Sequence, residues 1–507
     1  MALLVTTVTP QARSIGKEFI PPEHWTYPAL KRFETLGLVL LPSDALFTRP
    51  DVIGYVEEIL KNIEDEEVTV TARDRFNLDR LEKEYSSIEA QENPKSRFDP
   101  PVIYATEEPI YLEGDVALSL NPVKPLLDPK WAFFVTGNPA LRLHFGDWVT
   151  WEVRYLLAYG PERDDRVDKG KPSRRTKSWR GLTALYERAY LNYEWQRRIT
   201  LFWGRDYTNW GPSENGNLLI ADTAGSLDKW GGRVRFKNIL FSFLNATLSP
   251  SADRRLAAHR LEFTWGRAVL GVNEAVVYAG RGFDPIYLLP LSSFYSNQYS
   301  EAGQDNVMWS FDGKWSATRN LLLYGSFLID DFQFETGEPF PNKLAFDVGG
   351  RIALSNPLTA TFRFQYRYVD IYTYTHMDSA TYWVTGEVDL TLDNPLGARQ
   401  GPDSDTAFLN MELYPIPSLT TTLSLTLQRR GEGNDYRMFQ PGDPTNPPFP
   451  SGVVERIAGV GLGIEWELPR NSSVGARVVQ AHVDNLNHID GVSEWTTSVF
   501  MHLTWNL

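Results

Sequence analysis

Two stretches of the chain place flat aromatic rings beside planar polar groups. Asp206, Tyr207, Asn209, Trp210, Glu214 and Asn215 lie close together, and Phe283, Asp284, Tyr287, Tyr295, Asn297 and Tyr299 repeat the mixture. A sugar ring offers a C–H face that stacks on an aromatic side chain. Its neighbouring hydroxyls can be bonded in pairs by a carboxylate, an amide or a guanidinium. Both stretches are therefore candidates for saccharide recognition. The same aromatics could equally pack their own loops, and the sequence leaves the two readings open.

Catalysis has little support. No Gly-x-Ser-x-Gly is present, and of seven scattered histidines only His482 and His488 lie near each other. No compact histidine spacing suggests zinc. The absence of cysteine removes disulfides, thiolate metal sites and cysteine nucleophiles together. Gly459, Gly461 and Gly463 have a strict spacing of two and lack the strand–turn–helix setting of a nucleotide loop. The expectation is a protein that is no enzyme and carries neither cofactor nor metal. A net charge of −14 also argues against nucleic acid as a partner. The one dense basic stretch, Lys169–Arg180, reads as a solvated loop or as a contact for lipid phosphates or an acidic polymer.

The candidate loops must be held by strands. No run approaches the roughly 18–20 apolar residues of a helical membrane span; the best is Leu36–Leu41. After residue 100 the hydrophobic period becomes two. In Leu358–Val369, Leu358, Ala360, Phe362, Phe364, Tyr366 and Tyr368 alternate with polar residues. In Gly459–Leu468, Val460, Leu462, Ile464, Trp466 and Leu468 face away from glycines and glutamates. Val149–Tyr159, Ile199–Arg205, Arg233–Leu248, Leu256–Trp265, Leu321–Ile329, Val384–Leu392 and Thr421–Arg430 read the same way. Such strands cross a bilayer at a tilt, with one face to lipid and the other to a hydrated interior. Arg363, Arg367, Glu387 and Asp389 fall on that interior face, where a lumenal charge network is expected.

Short turns at Gln196–Arg197, Gly266–Arg267, Ala317–Arg319 and Asn356–Pro357 alternate with long connections at 160–183, 207–228, 279–305 and 331–342. This is the asymmetry of outer-membrane barrels. The alternation before residue 370 is out of phase with that after 405, which points to a miscounted strand between them. About seventeen strands follow residue 148. Single-chain bacterial barrels have even numbers, so eighteen is expected, with further pieces near 113–121 and 141–147. Val499, Met501, Leu503, Trp505 and Leu507 share one face of the last strand, opposite Ser498, His502, Thr504 and Asn506.

Residues 18–100 form an acidic, helical section. Trp25, Ala29, Leu30, Phe33 and Leu36 recur at helical spacing up to Gly37. Thr48 caps a second helix with Pro50 in its first turn, and a charged third helix spans about 72–85. Such a section can pack on itself or fill a barrel end. Residues 1–17 read as the tail of a secretory signal or as a flexible N-terminus.

Three segments resemble the Wzi capsule-assembly family. They are Trp203-Gly204-Arg205-Asp206-Tyr207 with Trp210–Asp222, Gly282-Phe283-Asp284-Pro285 with Pro290 and Asp305-Asn306, and Asn394–Gly397 with Gly401–Asp405. The resemblance implies an outer-membrane barrel lectin holding capsular polysaccharide. It places Arg205, Asp206, Tyr207, Trp210, Glu214, Asn215, Asp284, Tyr287, Asp305 and Asn306 in ligand-facing loops. Residues 20–62 resemble one surface-layer-homology repeat, through Pro22–Leu30, Leu36–Leu38 and Thr48–Asp51. That second resemblance implies contact of Arg49 with a cell-wall, peptidoglycan-linked polymer, or else a simple stabilising role in a periplasmic cap.

The expected architecture is all-β: an antiparallel transmembrane barrel of about eighteen strands over residues 101–507 in the bacterial outer membrane, preceded by a small helical periplasmic section. Its expected partners are surface or capsular polysaccharide and outer-membrane lipid. The alternative is a porin-like channel for small solutes, tethered to the wall by its N-terminal section.

Overall fold

The computed structural model describes residues 16–507 apart from 45, 66–69, 88–92, 125–131, 160–179, 181, 302–304, 333–339 and 387–393. Most of the signal-like segment, nearly all of the basic stretch Lys169–Arg180, and Glu387 and Asp389 lie outside the described residues.

The period-two segments form one antiparallel barrel. Its strands are β2 (Ile110–Lys124), β3 (Ala132–Phe145), β4 (Val149–Tyr159), β5 (Leu182–Trp195), β6 (Ile199–Asp206), β7 (Leu227–Phe236), β8 (Ile239–Ser249), β9 (Arg254–Trp265) and β10 (Ala268–Ala279). They continue as β11 (Asn306–Thr318), β12 (Leu321–Asp331), β13 (Lys343–Leu354), β14 (Ala360–Val369), β15 (Ser404–Ile416), β16 (Leu419–Arg430), β17 (Glu455–Glu467), β18 (Ser473–Asp484) and β19 (Ser493–Asn506). Each pairs with the next. Closure comes between β19 and β2, from Val499↔Lys124 to Asn506↔Ala117, so eighteen strands leave no open edge. A short strand, β1 (Ile103–Glu107), pairs with the start of β2 below this seam.

Two expected strands are corrected. Arg233–Leu248 is broken by a tight turn at Lys237, whose φ is +53°, and forms parts of β7 and β8. Val384–Leu392 is not a strand in its described part: Val384 makes a single bridge to Pro395 inside a long connection. β14 therefore pairs directly with β15, and the turn alternation comes into phase.

The outward face carries the lipid band. Leu423, Leu425, Val460, Leu462, Ile464 and Val478 are all exposed on adjoining strands. Trp466 and Trp505 on β17 and β19 fit the interfacial girdle.

The helical section keeps its expected elements: α1 (Thr26–Thr35), ended by Gly37 at φ +74°, α2 (Arg49–Asp65) and α3 (Ala72–Leu81). Thr48 and Thr71 cap α2 and α3 by side-chain bonds to and from Asp51 and Asp74. Of the two expected placements, packing on itself or filling a barrel end, the section takes the second and lies inside the barrel. Lys314 Nζ on β11 donates to Glu34 Oε1 at 2.6 Å, and Ser242 Oγ on β8 donates to Asp44 at 2.6 Å. Tyr190 Oη on β5 accepts from the Phe19 backbone N–H, and Arg32 reaches the Ala360 carbonyl on β14. Inward-pointing polar side chains that water would otherwise satisfy are satisfied by the plug.

The interior is also drier than expected of a hydrated barrel. Leu244, Leu256, Val277, Met308 and Leu328 point inward from β8 to β12 and pack with loop residues Leu218, Ile220, Trp383 and Leu396 in one apolar core. On the opposite face of the wall, residues 280–301 fold back over β9–β11. Their helices α4 (Pro285–Leu288) and α5 (Phe294–Glu301) bury the outward side chains of Ala257, Val276 and Tyr278 beneath Tyr287 and Phe294.

Candidate functional site

The 207–226 connection turns into the lumen rather than standing above it. Trp210 bridges Asp44 of the helical section on one side and Ile220 on the other, and is 5% exposed. At Gly211 φ is +130°, and a Cβ there would sit 2.4 Å from Asn217 Oδ1, so only glycine fits this corner. Ser213 Oγ donates to Asp347 at 2.8 Å, and Arg367 donates to the Asn215 carbonyl at 3.0 Å. Glu214 meets Lys31 and Arg351, each at 3.3 Å, and Arg363 at 3.7 Å. Burial would raise its carboxyl, but those three cations outweigh it and hold the group at about 2.

Residues 370–386 and 394–403 close over this insert. Trp383 Nε1 donates to the Leu219 carbonyl and Tyr374 Oη to the Leu218 carbonyl, both at 2.7 Å. Gly397 lies so close that a Cβ would come within 2.0 Å of the Leu218 oxygen. Asp403 accepts from Gly433 N and from Ser451 N and Oγ, fixing the next outer loop. The first and third of the three family-like segments thus meet inside the barrel.

The structure separates the candidate residues. Asp206 is buried and accepts from Arg188 Nε at 2.7 Å. Trp210 and Glu214 are enclosed, and Asn215 keeps an exposed side chain while its backbone is held by Gln365. Arg205 faces outward and pairs with Asp228 on β7. Asp284 caps α4 and takes Arg281 at 2.7 Å, while Tyr287 Oη donates to Asp305 at 2.7 Å outside the barrel wall. Asn306 Nδ2 points inward and donates to the Thr381 carbonyl. Of these ten residues only Tyr207 lines the large lumenal cavity, while Asp206 and Trp210 border with it a small space of about 30 Å³. The two candidate loops therefore do not share a face: one turns inward, the other outward.

Arg49 is likewise reassigned. Its guanidinium donates to Glu18 at 2.5 Å and Glu84 at 2.6 Å above the Tyr85 ring, and it is 7% exposed.

The plug leaves space along the other side of the lumen. A cavity of about 780 Å³ lies between the helical section and the wall built by β2–β5 and β15–β19. It runs from Asn471 and Ser472 at the periplasmic rim to Tyr207, Glu187 and Asn138. At its inner end Tyr207 Oη donates to Glu187 Oε1 at 3.1 Å and Asn138 Nδ2 donates to Oε2 at 3.0 Å. Glu23, from the turn before α1, is exposed into the cavity although protein surrounds it. That enclosure, with the Glu187 carboxylate nearby, raises its carboxyl above the ordinary range. Glu23, Asn138, Arg154 and Glu187 are absent from the sequence-based candidates. For the last three the available signal was a polar side chain at an inward position of β3, β4 and β5.

A closed eighteen-strand barrel with an apolar exterior and an interior occupied by inserted segments is an outer-membrane barrel with a plugged lumen. No family model matches the sequence, and no curated protein does. Among solved structures the chain is similar to Wzi of Escherichia coli, an outer-membrane protein involved in group 1 capsule assembly and described as a carbohydrate-binding β-barrel. The TM-score is 0.60 at 12% identity, covering 96% of this chain and 98% of that one. It is also similar to Pseudomonas aeruginosa OprD, with a TM-score of 0.48 at 10% identity over 81% of this chain and 97% of that one. The fold is a Wzi-like barrel.

Proposed function

We propose that this outer-membrane barrel binds surface or capsular polysaccharide and helps attach or assemble it at the cell surface, without chemistry of its own. The observation that carries the reading is the filled lumen: a helical section and an inward loop are locked to the wall by buried ion pairs. The fold that holds them is shared with a carbohydrate-binding barrel. A plug tied to strands all around the wall suits a rigid binding scaffold better than an open pore. Arg49, committed to Glu18 and Glu84, offers no support for a wall-tethering role.

The rival reading, a channel for small solutes, draws on the cavity beside the plug. Two measurements on the full chain separate them. Immobilised protein is expected to retain purified surface polysaccharide from the producing cells, and planar bilayers are expected to show no stable open steps. Uniform open steps without retention would establish the channel instead.

A further inference from the structure

We propose that the inner end of the lumenal cavity is a binding subsite for a short stretch of polysaccharide, formed by Glu23, Asn138, Arg154, Glu187 and Tyr207. The inference rests on the polysaccharide reading and gives it a location that neither sugar-like loop provides.

Three observations converge there. First, the space has the size of a ligand site: about 780 Å³, within the roughly 300–1,000 Å³ that encloses small ligands. It admits a chain end, not a polymer running through. Second, its inner wall is already organised. Asn138 and Tyr207 each donate to one oxygen of Glu187 and fix that carboxylate's plane from two sides. Each carboxylate oxygen retains a further lone pair for a hydroxyl. Third, a donor at the cavity lacks an acceptor. The Trp25 indole N–H is buried without a hydrogen-bond partner, and Arg154 Nε stands 3.6 Å from Glu152, beyond hydrogen-bond reach. Buried N–H groups are rarely left so, and water or a ligand oxygen is the available acceptor.

The charge balance selects the ligand class. Glu187 and Arg154 lie on adjoining strands at the same end of the cavity, and burial, with the Glu187 carboxylate nearby, raises the Glu23 carboxyl. A site with two carboxyls, Glu23 and Glu187, and one guanidinium, Arg154, has no positive excess to hold an anionic polymer. It suits an uncharged polyhydroxylated chain, with the Tyr207 ring as the apolar surface. Because the cavity reaches the rim at Asn471 and Ser472, the ligand enters from the periplasmic end.

The chain contains no cysteine, so a single introduced thiol reports on the cavity alone. Ser119 lines it on β2, outside the five proposed residues. In the purified full-length Ser119→Cys protein, a small thiol-reactive reagent should modify the cysteine. Oligosaccharides of two to six residues, cut from the producing cells' surface polysaccharide, should slow that reaction at least fivefold. Glu187→Gln, added to Ser119→Cys, should abolish the protection while the reagent alone still reacts at its former rate. A thiol that does not react at all would show that the cavity is closed and would overturn the subsite. Fragments that bind the protein without protecting Ser119→Cys would also overturn it, leaving the polysaccharide reading intact. If neither fragments nor polymer bind the wild type, both proposals fail.

Discussion

Trp210 of the inward loop and Asp44 of the helical section face each other in an isolated antiparallel bridge, which joins the two inserted segments through their main chains. Asp44 also accepts from Ser242 on the wall, while the Trp210 ring packs in the lumenal core with Leu218 and Ile220. Plug, loop and barrel are one packed body. Trp210→Ala should therefore lower stability by about 3–5 kcal/mol, the usual cost of removing a large buried ring. The midpoint temperature at which the compact gel band converts to the unfolded one measures this. Tyr207→Ala should leave that midpoint within a few degrees, since the ring is half-exposed and gives up one hydrogen bond to Glu187. Equal losses in the two variants would contradict the assignment of Trp210 to packing and Tyr207 to the cavity.

Glu214 gathers Lys31, Arg351 and Arg363 around one buried carboxylate. Removing it strands several cations in a low-dielectric site, at a cost of about 3–5 kcal/mol. Glu214→Ala should destabilise the barrel by that order in urea titration. Combining it with Arg351→Met should recover part of the loss, because Arg351 would no longer need a second partner beside Glu34. No recovery in the double variant would show that the two residues act independently.

Arg49 decides between a wall contact and an internal bridge. Arg49→Lys keeps the charge but cannot reach Glu18 and Glu84 with a guanidinium fork, so stability should fall while co-sedimentation with purified cell wall stays unchanged. A loss of sedimentation at unchanged stability would restore the wall reading.

Much of this fold is legible in the sequence because alternation is a local property. Val460, Leu462 and Ile464 declare an outer face with no knowledge of their neighbours, and Thr48 and Thr71 announce helices through their own first turns. Placement is not local. Nothing near Trp210 states that its loop turns inward, because the reason lies in Asp347, Gln365 and Arg367, which bond Ser213 and Asn215 from 134 to 152 residues away. The same distance hid the role of Gly397, which is small because Leu218 presses on it. Val384 misled for the opposite reason, since an extended loop segment carries the same period as a strand and differs only in what it pairs with. The aromatic and amide kit of the second loop carries two meanings, because packing on the outward wall answers to the same composition as binding sugar.

Stability should pass through a maximum in mildly acid solution. Burial raises the carboxyls of Glu18 and Asp51, but Arg49 outweighs it for Glu18, and Arg235 with Arg233 for Asp51, so each is held at about 2. Glu214 is held there as well. A folded-state pKa below the unfolded one contributes stability that is complete above the ordinary carboxylate range and disappears as pH falls through about 2. Asp99 acts with the opposite sign. Burial and the carboxylates of Glu84 and Asp115 push it up to about 7, so its contribution is full below its ordinary value of 3.8 and is lost as pH rises through about 7. The denaturation midpoint of the wild type should therefore be highest at about pH 4–5, falling on both sides. Asp99→Asn should flatten the decline on the neutral side and leave the acid limb in place. An unchanged neutral limb in that variant would remove Asp99 from the account, and an acid limb beginning well above pH 4.5 would do the same for Glu18, Asp51 and Glu214.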